Sequence, residues 1–158
     1  MKSFTRRKNK NAGTELLNRL KKTASREIAV GFPKGKAQAY PDGTSVIDVA
    51  AQNVYGTPTI PQRDFMTLAS SDIREKTRPI IKRIVKEANK KGGNERVVDS
   101  LQNAAGEVAK SAIQKAIIDL DTPPNAPSTI DAKGSSNPLI DTGHMKDSVT
   151  FDIREKSK

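Results

Sequence analysis

Apolar residues recur along this chain at two periods, and the periods divide it into elements. Between Glu27 and Phe32, Ile28, Val30 and Phe32 alternate with smaller or polar neighbours, which predicts a strand over 27–33 that Pro33 ends. Val149, Phe151 and Ile153 alternate in the same way with Thr150, Asp152 and Arg154, predicting a second strand over 148–154. Most of what lies between has helical spacing. Gly13 to Thr23 reads as a first helix, with Thr14 as its cap and Leu16, Leu17 and Leu20 on one face. Ser45 caps a helix through Val54, with Val46, Val49, Ala50 and Val54 at helical intervals and Gly56 as its stop.

Asp64 caps a long helical region reaching about Lys91. Phe65, Leu68, Ala69 and Ile73 face inward, followed by Ile80, Ile81, Ile84, Val85 and Ala88. Pro79 interrupts it, either as a kink or in the first turn of a new helix starting at Thr77. Gly92-Gly93 breaks the chain, and Asn94 caps a helix over 95–120. There Val97, Leu101, Ala104, Val108, Ala112, Ala116 and Leu120 form an apolar stripe whose small residues predict close packing on a neighbouring helix. The Gly- and Pro-bearing stretches 34–44, 57–62 and 122–138 read as loops, the last with one helical turn near Ser128.

These elements predict an α+β fold: long helices packed on a small antiparallel sheet formed by the N- and C-terminal strands. Two strands alone are marginal in water, so this pairing leaves an edge for another copy or another protein to extend. The expected organisation is a basic flexible arm, 1–12, followed by one domain, 13–158.

Charge narrows the partners. The chain of 158 residues carries a formal +10, and its pI is about 9.9, which favours acidic surfaces or nucleic acid. Aromatics make up only 4% with no Trp, which argues against a base-stacking surface. There is no Cys, so disulfides and Cys-based metal sites are excluded, which is compatible with cytosolic assembly. No apolar run approaches the roughly 18 residues of a membrane span. Met1 to Lys10 is basic without an apolar run behind it, unlike a secretory signal.

Short motifs punctuate this pattern. They are Gly31-Phe32-Pro33 at the end of the first strand, Tyr55-Gly56-Thr57, Ile60-Pro61-Gln62-Arg63-Asp64-Phe65, and Pro138-Leu139-Ile140-Asp141-Thr142-Gly143-His144-Met145 before the last strand. Their order and spacing around two long helices, from about Glu27 to Ile153, resemble the tail-completion (neck, minor tail component) family of long-tailed bacteriophages. Asp64 departs from the family's usual Pro, which affects the geometry of that turn. The resemblance implies a non-enzymatic structural virion protein without cofactor: a ring-forming adaptor at the head–tail joint. Its implied partners are other copies in a ring, hexameric in the family, the tail tube or tail terminator protein, and the head connector. Ile60, Pro61, Arg63, Phe65, Pro138, Leu139, Asp141, Thr142, Gly143 and Met145 are the expected subunit or fold-defining contacts. Of these, Phe65 and Leu139 are core anchors, and Arg63 is the candidate for an inter-subunit ion pair. The alternatives are a tail terminator that caps tube polymerisation and, from a different class, a small basic DNA-binding protein.

Candidate chemistry is weak beside this. Asp141-Thr142-Gly143 resembles the catalytic turn of aspartic proteases, but those enzymes are mostly β-structure; an N-cap carboxylate accepting from Gly143 or His144 explains Asp141. His144, the only His, has Ser148 four residues on, but no nucleophile elbow is present. Lys34-Gly35-Lys36 lacks the phosphate-loop pattern. Two cation clusters remain. The arm (Lys2, Arg6, Arg7, Lys8, Lys10) suits an acidic partner surface. Residues 74–96 read as a solvated helix face with Glu75, Glu87 and Glu95 as partial partners, or as a non-specific contact with DNA in a channel.

Overall fold

Six helices and two strands are formed by residues 10–90 and 92–156, the part of the chain that a computed structural model describes. In order they are α1 (Lys10–Ala24), β1 (Arg26–Gly31), α2 (Val46–Tyr55), α3 (Phe65–Asn89), α4 (Glu95–Asp119), α5 (Pro127–Lys133), α6 (His144–Asp147) and β2 (Thr150–Glu155). The α+β architecture follows the sequence pattern. Helices α3 and α4 form an antiparallel hairpin, and β1 and β2 pair antiparallel and pack on α4.

The helix starts have local chemical causes. Ser45 accepts from the Asp48 amide, Asp64 from the Thr67 amide at 2.9 Å, and Asn94 from the Arg96 amide at 2.9 Å, each satisfying a donor the helix itself leaves free. The first helix differs from expectation. It begins at Lys10, so Thr14 lies inside it rather than capping it, and residues 10–12 are helical rather than part of an arm. The rest of the predicted arm lies outside the described residues.

Helix α3 runs through Pro79 as one element. The Thr77 hydroxyl donates to the Ile73 carbonyl at 2.6 Å, adding a bond just before the turn where the proline has no N–H to give. The turn into α4 is tight. A Cβ on Gly93 would stand 2.3 Å from the Glu87 carbonyl oxygen, so only glycine fits there.

Helix α4 buries a wider arc than a single stripe. Leu101, Ala105, Ala109, Ala112 and Ala116 are buried, and so is a second row, Gln102, Gly106, Ile113 and Ile117. Val97 and Ala104, expected inside, are exposed, and Val108 is half-buried. The cause is that α4 is covered on two sides, by α3 and by the sheet. Gly106 marks the second contact: a Cβ there would meet Phe151 Cδ2 at 2.3 Å, so the aromatic ring of β2 lies on bare helix backbone.

The main core collects Val46, Ala50, Phe65, Ala69, Ile113, Ile117, Leu139, Met145 and Val149 at the Phe65 end of the hairpin. Phe32 meets Phe65 edge-to-face, with ring centroids 6.3 Å apart. The opposite end holds a smaller cluster of Ile84, Val98 and Leu101, with Ile80 beside them and Ala88 buried nearby. There Leu68-like exposure recurs: Ile81 and Val85, expected inward, are half exposed, as are Leu68 and Leu17 nearer the chain's other helix faces.

Candidate docking surfaces

Two of the sequence-predicted motifs fold against each other. Gly56 ends α2 at φ 74°, and the Thr57 hydroxyl then accepts from the Ile60 amide at 2.9 Å. This brings Arg63 back under α2, where its amide donates to the Asn53 carbonyl at 2.6 Å. The guanidinium turns inward: Nε donates to the Pro123 carbonyl at 2.9 Å, and Nη2 to the Pro124 carbonyl at 3.2 Å and Asn125 Oδ1 at 3.3 Å. Arg63 is only 6% exposed, and desolvation lowers its pKa. The expected inter-subunit ion pair is therefore replaced by a clamp within the chain. Five planar donors suit adjacent carbonyls, and the Thr122–Pro123 peptide bond they hold is cis.

The loop beyond is fastened by residues the sequence reading did not single out. Asn137 Oδ1 accepts from the amides of Leu139 and Ile140, both at 2.9 Å, while its Nδ2 donates to the Ile118 carbonyl at the end of α4. The Asn-Pro pair at 137–138 is a turn signal that points to this position. Lys133 Nζ donates to the Asn137 and Pro138 carbonyls, and burial pushes its pKa down, against the opposing influence of Asp141.

Pro138, Leu139 and Met145 are buried by this arrangement, whereas Asp141 and Thr142 stay exposed. Asp141 is not the cap of α6. Gly143, at φ 82°, occupies that position, and the Thr142 hydroxyl rather than the Asp141 carboxylate faces the His144 amide, at 3.4 Å. With the left-handed Gly143 at the cap, Asp141 stands two residues too far back. A cleft of about 350 Å³ opens here, lined by Tyr40, Asp42, Asn53, Asp141 and His144 among others. The His144 ring lies tilted at 43° against Tyr40, with centroids 4.5 Å apart, and its Nε2 lies 3.3 Å from the Gln38 carbonyl. The imidazole is thus engaged with the 38–40 loop rather than with Ser148, which is buried and follows α6. Desolvation raises the Tyr40 pKa, with Asp141 and Asp42 adding to it. Among the described residues no group of three His, Asp or Glu side chains converges as a metal ion requires. Lys36 of the 34–36 segment pairs with Asp152 at 2.5 Å and pins its loop to β2.

The sheet offers a different kind of surface. Glu27 pairs with Arg154 and Ile28 with Ile153, and the Lys156 amide donates to the Ser25 carbonyl. Antiparallel alternation then turns the backbone groups of Ile28 and Val30 outward on one edge, and those of Phe151 and Ile153 outward on the other. Among the described residues no backbone–backbone hydrogen bond reaches these outward groups, although the Ile153 amide interacts with the Asp152 carboxylate.

Exposed side chains complete the inventory. Tyr55, 78% exposed, and Ile47 stand on the outer face of α2. On α3, Arg74, Arg78, Lys82, Arg83 and Lys86 are exposed and form no ion pair among the described residues. The glutamates expected to balance them are spent elsewhere or stand apart. Glu95 pairs with Lys22 at 2.8 Å, Glu87 reaches Lys90 and the Asn94 amide, and Glu75 pairs with nothing described. Comparison with protein-family models, with curated proteins and with solved structures finds no match to this chain.

Proposed function

We propose that this chain is a structural virion protein of a long-tailed bacteriophage, a ring-forming adaptor at the head–tail joint that completes the tail and attaches it to the head. It works by binding, without turnover. The observation that carries the reading is the two-stranded sheet, whose two outer edges both carry backbone groups with no backbone partner among the described residues. Such edges are costly liabilities in a free protein and are ready templates for strand addition by a neighbour. The order and spacing of the motifs between Glu27 and Ile153 support the same reading, as does an α+β fold with its sheet made from the chain's two ends. The partners are other copies of the chain, the tail tube or terminator protein, and the head connector.

The test is electron microscopy of particles made without this protein. Full heads beside complete, unattached tails are expected. Overlong tails would replace the adaptor with a terminator, and normal infectious particles would sink both.

The unpaired cations of α3 favour a second reading, contact with DNA phosphates. It requires an affinity for duplex DNA that falls steeply with salt; a salt-independent or absent affinity removes it.

A further inference from the structure

The thin end of the helix hairpin carries an open apolar cleft of about 300 Å³, lined by Leu20, Ile28, Ile81, Ile84 and Val85. Ile81 and Val85 are 49% and 50% exposed, so this floor is uncovered. Its rim is cationic: Lys156 lines it and Lys82 follows Ile81 on the exposed side of α3, while Arg26 beside them is paired with Asp99 at 2.6 Å. The other end of the molecule carries the reverse. The outer face of α2 shows Ile47 and Tyr55, two helical steps of four apart, beside exposed Asp48. Helix α2 contains no cation, and its C-terminal carbonyls add partial negative charge next to Tyr55.

We propose that copies of this chain associate head to tail, with the α2 face of one seated in the α1–β1–α3 cleft of the next. Three observations select a second copy as the occupant and fix its polarity. The two surfaces are complementary, apolar on apolar with opposite charge at the margins. They cannot meet within one molecule, because α2 packs at the Phe65 end of α3 while Ile81 and Val85 lie 16 and 20 positions along it, roughly 24–30 Å at 1.5 Å per residue. Pairing like with like would set Lys82 and Lys156 against their own counterparts, or Asp48 against Asp48. A contact between two different patches is heterologous, and its repetition closes a ring or runs on as a filament. The inference deepens the adaptor reading and rests on it only for the ring.

Two variants at exposed positions test it: Tyr55→Lys, which spoils the α2 face, and Ile81→Asp, which spoils the cleft. Sedimentation velocity across rising concentration should show wild-type protein forming species larger than a monomer, and weakening with added salt. Each variant alone should remain monomeric while melting at the wild-type temperature. An equimolar mixture should give a dimer and nothing larger, since only one intact face and one intact cleft remain. Wild-type protein that stays monomeric, single variants that assemble normally, or a mixture that fails to dimerise would each overturn the contact. The adaptor reading fails separately. If both variants still join heads to tails, the contact is wrong and the adaptor survives; if the mixture dimerises but loss of the protein leaves joining intact, the contact stands and the adaptor falls.

Discussion

The two ends of the α3–α4 hairpin are built from the same two helices and differ in what covers them. At the Phe65 end, α2, α6 and the 138–145 segment close over the pair, and Phe65, Ile113 and Ile117 are fully buried. At the turn end the buried apolar set is Ile84, Ala88, Val98 and Leu101, and Ile81, Val85 and Val97 are left on the surface. The apolar content of the helices is similar at both ends, so pattern alone does not separate them. The difference teaches that one end holds the fold together while the other retains uncovered area and charge for a neighbour. The largest cost of disturbing the first should be stability; disturbing the second should cost association.

The strongest way to break this contrast is truncation of matched core residues. Phe65→Ala should destabilise the protein by about 3–5 kcal/mol, and Ile84→Ala by about 2 kcal/mol, as measured by urea denaturation. Equal costs at the two ends would remove the distinction.

Next in size is the Arg63 clamp. Arg63→Met keeps much of the volume but leaves the acceptors of Pro123, Pro124 and Asn125 without their donor, at about 1–3 kcal/mol. Arg63→Lys should not restore it, because one ammonium cannot reproduce the planar fork. A neutral Arg63→Met combined with lost head–tail joining would return this residue to the partner surface.

The smallest effect sharpens the cap at the closed end. Hydrogen bonds from the Thr67 side chain and amide lower the Asp64 pKa. A carboxyl lowered in the folded state adds stability above its ordinary pKa of about 4, and loses it as pH falls through the lower folded value. Asp64→Asn keeps a capping oxygen that does not titrate. The variant should therefore show a shallower acid-side decline between about pH 5 and pH 2, with little change near neutrality, in melting temperature followed against pH.

Much of the fold was legible in sequence because its signals are local. Ser45, Asp64 and Asn94 cap where their short polar side chains predict, Gly56 stops α2, and alternation over six residues marks both strands. The errors are non-local. Gly13 and Thr14 look like a helix start, but α1 simply runs through them. The α4 stripe is read as one row because nothing in the helix announces that a sheet covers its second side. Gly106 needs Phe151, and Arg63 needs a carbonyl sixty residues away, and neither dependence leaves a mark on neighbouring residues. The candidate site was legible as a set of motifs but not as a surface. Of the expected contact residues, Arg63, Phe65, Pro138, Leu139 and Met145 are buried, and Pro61, Asp141 and Thr142 are exposed. Tyr55 stands in the sequence only as part of a short motif, and the spacing of Ile81 and Val85 points to core, so nothing local marks the residues that carry the proposed contact.

Amide hydrogen exchange, compared between monomeric and assembled protein, addresses the division of labour most directly. The account predicts added protection in 46–55 and 80–88, and at the outward amides of 28–30 and 151–153 where a neighbour adds a strand, and none in 113–117, which is already sealed. Protection gained at 113–117 alone, or an unchanged pattern on assembly, would contradict it.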